Sequence, residues 1–393
     1  MSKNIDKIRQ LSQRETSREK LPVFYGSYDN FYHGFKEILN NSVDEILNNF
    51  DRGEIKIHLH DDNRTITVSD TGRGMPIDTY EQAKLLFETL FASGKYDVTE
   101  NTNSGVNGVG GTILQFSSSY FECKSNFQGK TYQIIYENGG DITKELTCLG
   151  ETDKHGTEIT FKLDDTCYTQ TVYDENEIED IIRKVSLVSE NITFKYIYKD
   201  TEKVFNNTIE SYFDNYSSDI MGNALYGYSK SFSRDIEVER QGAKNIVKET
   251  AEIQVILGAC AGENILQETM LNGNYLKDNG TIYDGIIDGI KLFANRHCKT
   301  MNLIKGKEKN ITNQDVESAI SFVCRLFSNI VEFESQVKFA TKKEYYKEVA
   351  KEYIQEQLTI YKEENKKDFD RMIQQILICK KANETNEKAK QVL

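Results

Sequence analysis

The chain has 393 residues, room for two or three domains of ordinary size. Hydrophobic residues make up 38% and charged ones 28%, a globular balance, and the formal net charge of −13 excludes an electrostatic grip on nucleic acid by the whole chain. Seven scattered cysteines without a CxxC pair argue against a disulfide framework or zinc site, and no run approaches the roughly 18 apolar residues of a membrane span, so a cytoplasmic protein is expected.

Residues 1–22 are polar, without hydrophobic period, and read as an exposed arm. A helix is expected at about 29–49, then two strands, 54–60 and 64–69, joined by Asp61-Asp62-Asn63. The Gly/Pro loop DTGRGMP (70–76) leads to a helical stretch at 79–91. Residues 93–111 are rich in Gly, Asn, Ser and Thr, a long loop of the kind compact domains keep for a purpose. Apolar, β-prone runs recur at 119–127, 130–136 and 157–163. From about 215 the pattern restarts, with strands at 235–240 and 249–257, a helix at 283–294 and a strand at 321–327. The last 55 residues contain neither Pro nor Gly. Tyr346, Val349, Ala350 and Tyr353 repeat at helical spacing there, as do Phe369, Met372, Ile373 and Ile376. The expected organisation is α+β, with an arm (1–22), a first domain (23–215) and a second (216–393). Asp368-Phe369-Asp370 reads as solvated surface on the final helix.

The first long helix has two faces. Phe35, Ile38, Leu39, Ser42, Ile46 and Phe50 form a stripe suited to packing on a sheet. His33, Glu37, Asn41, Asp44 and Asn48 line the opposite side, with no Lys or Arg among them. A solvated polar face is the plain alternative. A glutamate one turn from an asparagine has a specific use, however: the carboxylate can act as general base on water, and the carboxamide oxygen can hold a magnesium ion that takes other ligands from phosphates. Nucleotide hydrolysis needs both.

Asp70-Thr71-Gly72-Arg73-Gly74-Met75-Pro76 follows a strand, where an aspartate beside glycines can accept from an exocyclic amino group. An ordinary Asp-capped turn would look the same. Ser104-Gly105-Val106-Asn107-Gly108-Val109-Gly110-Gly111 precedes an apolar run, and glycines before a helix aim backbone N–H groups at a phosphate. It is neither a Walker A loop nor a dinucleotide fingerprint. Its hydrophilic lead-in, 95–103, suits a lid.

Taken in order, the Glu/Asn helix, the hairpin, DTGRGMP, the long loop, GVNGVG and His155-Gly156-Thr157 resemble the GHKL ATPase superfamily. Within it the chain looks most like the B-type subunits of DNA gyrase and topoisomerase IV, the type IIA topoisomerases. FYGS (24–27), FKEILNNSVDEI (35–46) and FESQVK (333–338) carry the likeness with the two glycine loops. The resemblance implies a Bergerat-fold ATPase sandwich of mixed sheet and helices, then an S5-like transducer domain with long C-terminal helices. By that likeness Glu37 would be the general base, His33 would help position it or the water, and Asn41 would ligate magnesium beside bound ATP. Asp70 would read the adenine amino group with Thr157, Arg73 and Glu45 would pair beneath the adenine, and Asp44, Gly72, Gly74, Met75 and Pro76 would border the nucleotide. Lys95 and residues Gly105, Val106, Asn107, Gly108, Val109 and Gly110 would wrap the phosphates. Gln336 and Lys338 would reach the γ-phosphate from the transducer. The expected partners are a second copy on ATP binding, a duplex DNA segment held in the clamp, and an A-type topoisomerase subunit, with no membrane.

Departures from the pattern are Val337, where the family has threonine, Asn107, where gyrase has histidine, and an arm without tyrosine. No Toprim-type Glu-Gly-Asp-Ser with a DxD occurs in these residues, so no DNA cleavage is expected of them; a fragment and a free-standing ATPase–transducer unit both fit. Lys342, Lys343 and Lys347 are the local cations expected to meet DNA. The competing readings are a MutL-type mismatch-repair ATPase, whose lid is usually spelled differently, and a non-hydrolysing GHKL binding or decoy protein.

Overall fold

The computed structural model describes residues 9–92, 109–240, 243–334 and 338–392, and the chain divides into two compact units, Met1–Asn206 and Asn207–Leu393. Three helices open the first: α1 (Gln13–Glu19), α2 (Leu21–Tyr25) and α3 (Tyr32–Asn49). Ser12 and Glu15 cap α1 reciprocally, each bonding the other's backbone N–H. Pro22 lies in the first turn of α2, where a missing N–H breaks no helical bond. The expectation of an exposed arm therefore fails for its described part. Ser17 and Leu21 are fully buried, while Arg14 and Arg18 pair with Asp141 and Asp164. Polar anchors of this kind leave no hydrophobic period to read.

After α3 come β1 (Gly53–Leu59), β2 (Thr65–Asp70), α4 (Tyr80–Phe87), α5 (Gly110–Phe116), β3 (Ser118–Phe127), β4 (Lys130–Glu137), β5 (Asp141–Glu151), β6 (Gly156–Leu163), α6 (Glu175–Val185), β7 (Ile192–Tyr198) and β8 (Thr201–Phe205). They form a mixed sheet in the order β5-β4-β3-β6-β2-β1-β7-β8, antiparallel except where β1 meets β7. Strand alternation sends Ile55, Ile57 and Leu59 to one side, all without exposed surface. The apolar stripe of α3 packs against β1 and β2. Phe35, Ile38, Leu39, Val43 and Ile46 are each at most 3% exposed, and burying one such side chain contributes about 1.5–3 kcal/mol.

The second unit runs α7 (Ile209–Tyr216), β9 (Leu225–Tyr226), β10 (Lys230–Arg240), β11 (Ala243–Ala259), β12 (Gln267–Leu271), β13 (Asn274–Tyr275), α8 (Thr281–Thr300), α9 (Asn313–Glu317), β14 (Ile320–Ser328), α10 (Glu344–Glu364) and α11 (Lys366–Val392). Its sheet order is β10-β11-β14-β12-β13, with β9 also on β11. Because α7 packs on β11 and β14, the division falls at 206/207, ahead of the expected boundary near 215. Tyr346, Val349, Ala350 and Tyr353 turn inward from α10, as do Phe369, Met372, Ile373 and Ile376 from α11. Gly285 and Gly289 of α8 face α10 at close range: a Cβ at Gly285 would lie 2.5 Å from the Lys347 carbonyl, and one at Gly289 3.0 Å from Ile354 Cβ.

Two surface expectations are corrected here. Asp368 is buried, accepting from Asn223 at 2.9 Å and from Arg371 at 2.7 Å. Of the three tail lysines, Lys343 pairs with the buried Glu249, while Lys342 (75% exposed, beside Glu334) and Lys347 (33% exposed, 3.2 Å from Asp288) stay at the surface. Lys343 is itself nearly buried, so it presents no charge to an outside polyanion.

Candidate functional site

Helix α3 carries the polar line, and the structure withdraws most of it from solvent. His33, Glu37 and Asp44 are 3%, 6% and 5% exposed, Asn41 is half-buried, and only Asn48 is exposed. A solvated face is excluded. Burying a carboxylate is costly unless something compensates its charge. His33 Nε2 lies 3.6 Å from Glu37 Oε1, one helical turn away. From the other side comes Gly110, the first residue of α5, where a Cβ would stand 2.7 Å from Glu37 Oε2. Only glycine lets α5 begin this close to the carboxylate.

A second corner forms where β2 ends. Asp70 Oδ1 accepts from the Gly72 amide at 2.8 Å and the Thr157 amide at 3.3 Å, and Oδ2 accepts from the Ser42 hydroxyl of α3 at 2.8 Å. Burial is the largest influence on this carboxyl and raises its pKa above the usual value; the Gly72, Ser42 and Thr157 donors oppose it and the nearby Glu45 charge reinforces it. The Thr157 hydroxyl accepts from Met75 N at 3.0 Å, and Ser125 donates to Met75 O at 2.8 Å, which pins the loop between Asp70 and Pro76. His155 Nδ1 lies 2.8 Å from Gly72 O, and since a carbonyl only accepts, Nδ1 carries the proton. Gly156, at φ +118°, backs directly onto the Asp70 carbonyl, a place and a conformation closed to any other residue. Glu45, a turn beyond Asn41, takes Arg73 by its side chain at 2.8 and 3.0 Å and by its amide at 3.0 Å.

One helix thus touches each part: Glu37 against Gly110, Ser42 under Asp70, Glu45 on Arg73. Gly72 is buried, Gly74 and Met75 half-buried, Pro76 exposed, and Val109 and Gly110 buried at the start of α5. Lys95, Gly105, Val106, Asn107, Gly108 and Gln336 lie outside the described residues. Lys338 belongs to the second unit, where it is 7% exposed and has a backbone φ of +58°. Ser42, Ser125 and His155 were not expected as site residues. A serine inside the apolar stripe of α3 was the available signal for the first, and the His-Gly-Thr sequence for the third. Among the described residues no three His, Cys, Asp or Glu side chains group to hold a metal.

Two family models match the chain, "Histidine kinase-, DNA gyrase B-, and HSP90-like ATPase" over residues 26–166 and "DNA gyrase B" over 208–392. The B-type subunit of DNA topoisomerase 4 from Bacillus subtilis is 27% identical over 99% of this chain and 59% of its own length. The chain spans about three-fifths of the curated relatives it matches. Among solved structures, the 43K ATPase domain of Thermus thermophilus gyrase B aligns with TM-score 0.65 at 22% identity, covering 98% of this chain and 99% of that one. The ATPase region of Saccharomyces cerevisiae topoisomerase II aligns with TM-score 0.70 at 18% identity, covering 95% and 100%. At those identities the structural likeness speaks for the fold alone, two α/β units along one chain.

Proposed function

We propose, because the chain belongs to the gyrase B family of the type IIA DNA topoisomerases within the GHKL superfamily, that it binds ATP along α3 and hydrolyses it. The observation that carries this reading is the burial of Glu37 on the same helix that braces Asp70 through Ser42. Each carboxylate oxygen has two acceptor positions, and only one on Asp70 Oδ2 is taken by Ser42. The other is available to the exocyclic amino group of adenine. The Thr157 hydroxyl accepts from Met75, so its own proton is free to hold a bridging water. Arg73 and Glu45 form a flat ion pair suited to lie under the base.

At the hydrolytic end, Glu37 accepts a proton from the attacking water, and His33 fixes the orientation of the carboxylate. Asn41 offers a single carboxamide oxygen, a donor set that fits magnesium, which takes its remaining ligands from water and phosphates. When bound, that ion would offset charge on the triphosphate. Asp44 lines the same edge, while Lys95 and residues 105–110 cover the phosphates in this reading. We also propose Gln336 and Lys338 as nucleotide-sensing residues, on the FESQVK sequence alone. Since the relatives include topoisomerase 4 and gyrase subunits, we propose a setting of DNA topology change, with ATP-driven pairing of two copies, a captured duplex and an A-type partner in the cytoplasm.

Steady-state ATP turnover of a Glu37→Gln variant tests the reading. Loss of a general base predicts a kcat lowered by about 100-fold or more, with nucleotide affinity retained. Turnover that survives the substitution removes Glu37 from the chemistry, and a wild-type chain that binds without hydrolysing makes this a binding protein only.

A further inference from the structure

Helix α1 lies in a stretch to which nothing so far assigns a role, yet it is bonded to the neighbourhoods of α4 and α5 alike. Gln13 Oε1 accepts from the Leu90 amide just after α4, at 3.2 Å. Arg18 reaches further. Its Nη1 donates to the Phe116 carbonyl at 2.8 Å, and its Nη2 to Asp164 Oδ2 at 2.7 Å and Thr166 Oγ1 at 2.8 Å. The socket is shaped for a guanidinium. Asp164 is preset by the Thr166 amide at 2.9 Å and hydroxyl at 2.7 Å, and Gly139 faces Arg18 so closely that any side chain there would collide with it.

Phe116 ends α5, and its carbonyl is one of those a helix leaves without an internal partner. A cation there also complements the negative end of the helix dipole. The opposite end of α5 is Gly110, against Glu37. Between the ends, the Thr112 hydroxyl ties the helix to the carbonyls of Leu86 and Thr89, both at 3.2 Å. A helix of seven residues is about 10 Å long and moves as a rod, so a shift at Phe116 is a shift at Gly110.

We propose that Arg18 is a positioning residue for hydrolysis: by holding Phe116 it sets where α5 begins, and so how Gly110 confines the Glu37 carboxylate. The proposal rests on the reading of Glu37 as general base. Among the described residues, Asp70 and its donors are bonded to none of these groups, so adenine recognition should not depend on Arg18.

The test compares Arg18→Gln and Arg18→Lys with the wild-type chain in ATP turnover, ADP affinity by calorimetry, and amide hydrogen exchange. Arg18→Gln should lower kcat about 10- to 100-fold, the scale of a misplacement near 1 Å. ADP affinity should hold. Exchange should quicken across 110–116 while β2 and β6 keep their protection. Arg18→Lys retains the charge beside Asp164 but not the planar fork, and should fall between the two in both kcat and exchange. If Arg18→Gln does not fold, Arg18→Lys decides alone. Unchanged exchange at α5 overturns the clamp, and so does an unchanged kcat with quickened exchange. Loss of ADP affinity in parallel with kcat assigns Arg18 to general stability and also overturns it. A wild-type chain without turnover strikes at the Glu37 reading instead, and is recognised before any variant is compared.

Discussion

Asp70 and Glu249 are both carboxylates drawn in from solvent, one in each unit, and they are held by opposite means. Asp70 is surrounded by neutral donors, the Gly72 and Thr157 amides and the Ser42 hydroxyl. Glu249, with no exposed surface, lies between two cations, Arg234 at 2.8 Å and Lys343, and the Arg234 guanidinium is 4.0 Å from the centre of the Tyr345 ring. The contrast separates two uses of a buried acid. A carboxylate neutralised by cations on both sides fixes β10, β11 and the start of α10 to one another. A carboxylate oriented by neutral donors keeps its charge for something that arrives later.

The largest expected effect falls on the cation-held acid. Glu249→Gln removes the buried and nearer carboxylate from Lys343, leaving only Glu332 at 4.0 Å, and should destabilise the second unit by about 3–5 kcal/mol. Urea unfolding measures it; a loss under about 1 kcal/mol would place this pair with exposed ion pairs and dissolve the contrast.

Asp70→Asn should spare most of the stability and strike at binding instead. With an amide N–H₂ where an acceptor is needed, ADP affinity should fall roughly 10- to 100-fold by titration calorimetry. The same variant sharpens the comparison through pH. Burial raises the Asp70 carboxyl above its usual 3.8, so the folded state holds this proton more tightly than the unfolded chain does. Its contribution to stability therefore falls as pH climbs from below 3.8 through the raised value, and above both it stays as a constant penalty. Denaturant unfolding from about pH 3 upward should show the wild type losing ground to Asp70→Asn and then levelling. A trend in the opposite direction means that Asp70 is held by charge after all.

The smallest effect belongs to a third acid. Glu45 also pairs with a cation, but Arg73 is 62% exposed, and Arg73→Ala should change stability by less than about 1 kcal/mol. If it matches Glu249→Gln, burial is not what separates the two pairs.

Much of this fold was legible because it is written as period. The two faces of α3, the alternation of β1 and β2, and the inward stripes of α10 and α11 all follow the spacing of apolar side chains. Other elements were written less plainly. β5 is mostly exposed, with almost no buried positions to alternate, so it carries little strand signal. α6 carries its signature in only four apolar positions, Ile178, Ile181, Ile182 and Val185 after the cap Asp174, set in an otherwise polar stretch. At the site, Asp70, Thr157 and Glu37 could be named from motif order. The burial of the Glu37 face could not, since a polar line on a helix is the same string of letters in water or under α5. Nor could the ion pair of Lys343 with Glu249, whose partners are far apart in sequence and neighbours only once β11 and α10 are in place.

The notch cut into α8 by Gly285 and Gly289 has a mechanical consequence. With backbone set against side chain at that range, α8 and α10 cannot roll or slide over each other without collision. They make a doubled beam about 30 Å long, stiff where a single helix would bend. A pull on Lys343 at one end is therefore carried along the pair toward Glu364 at the other.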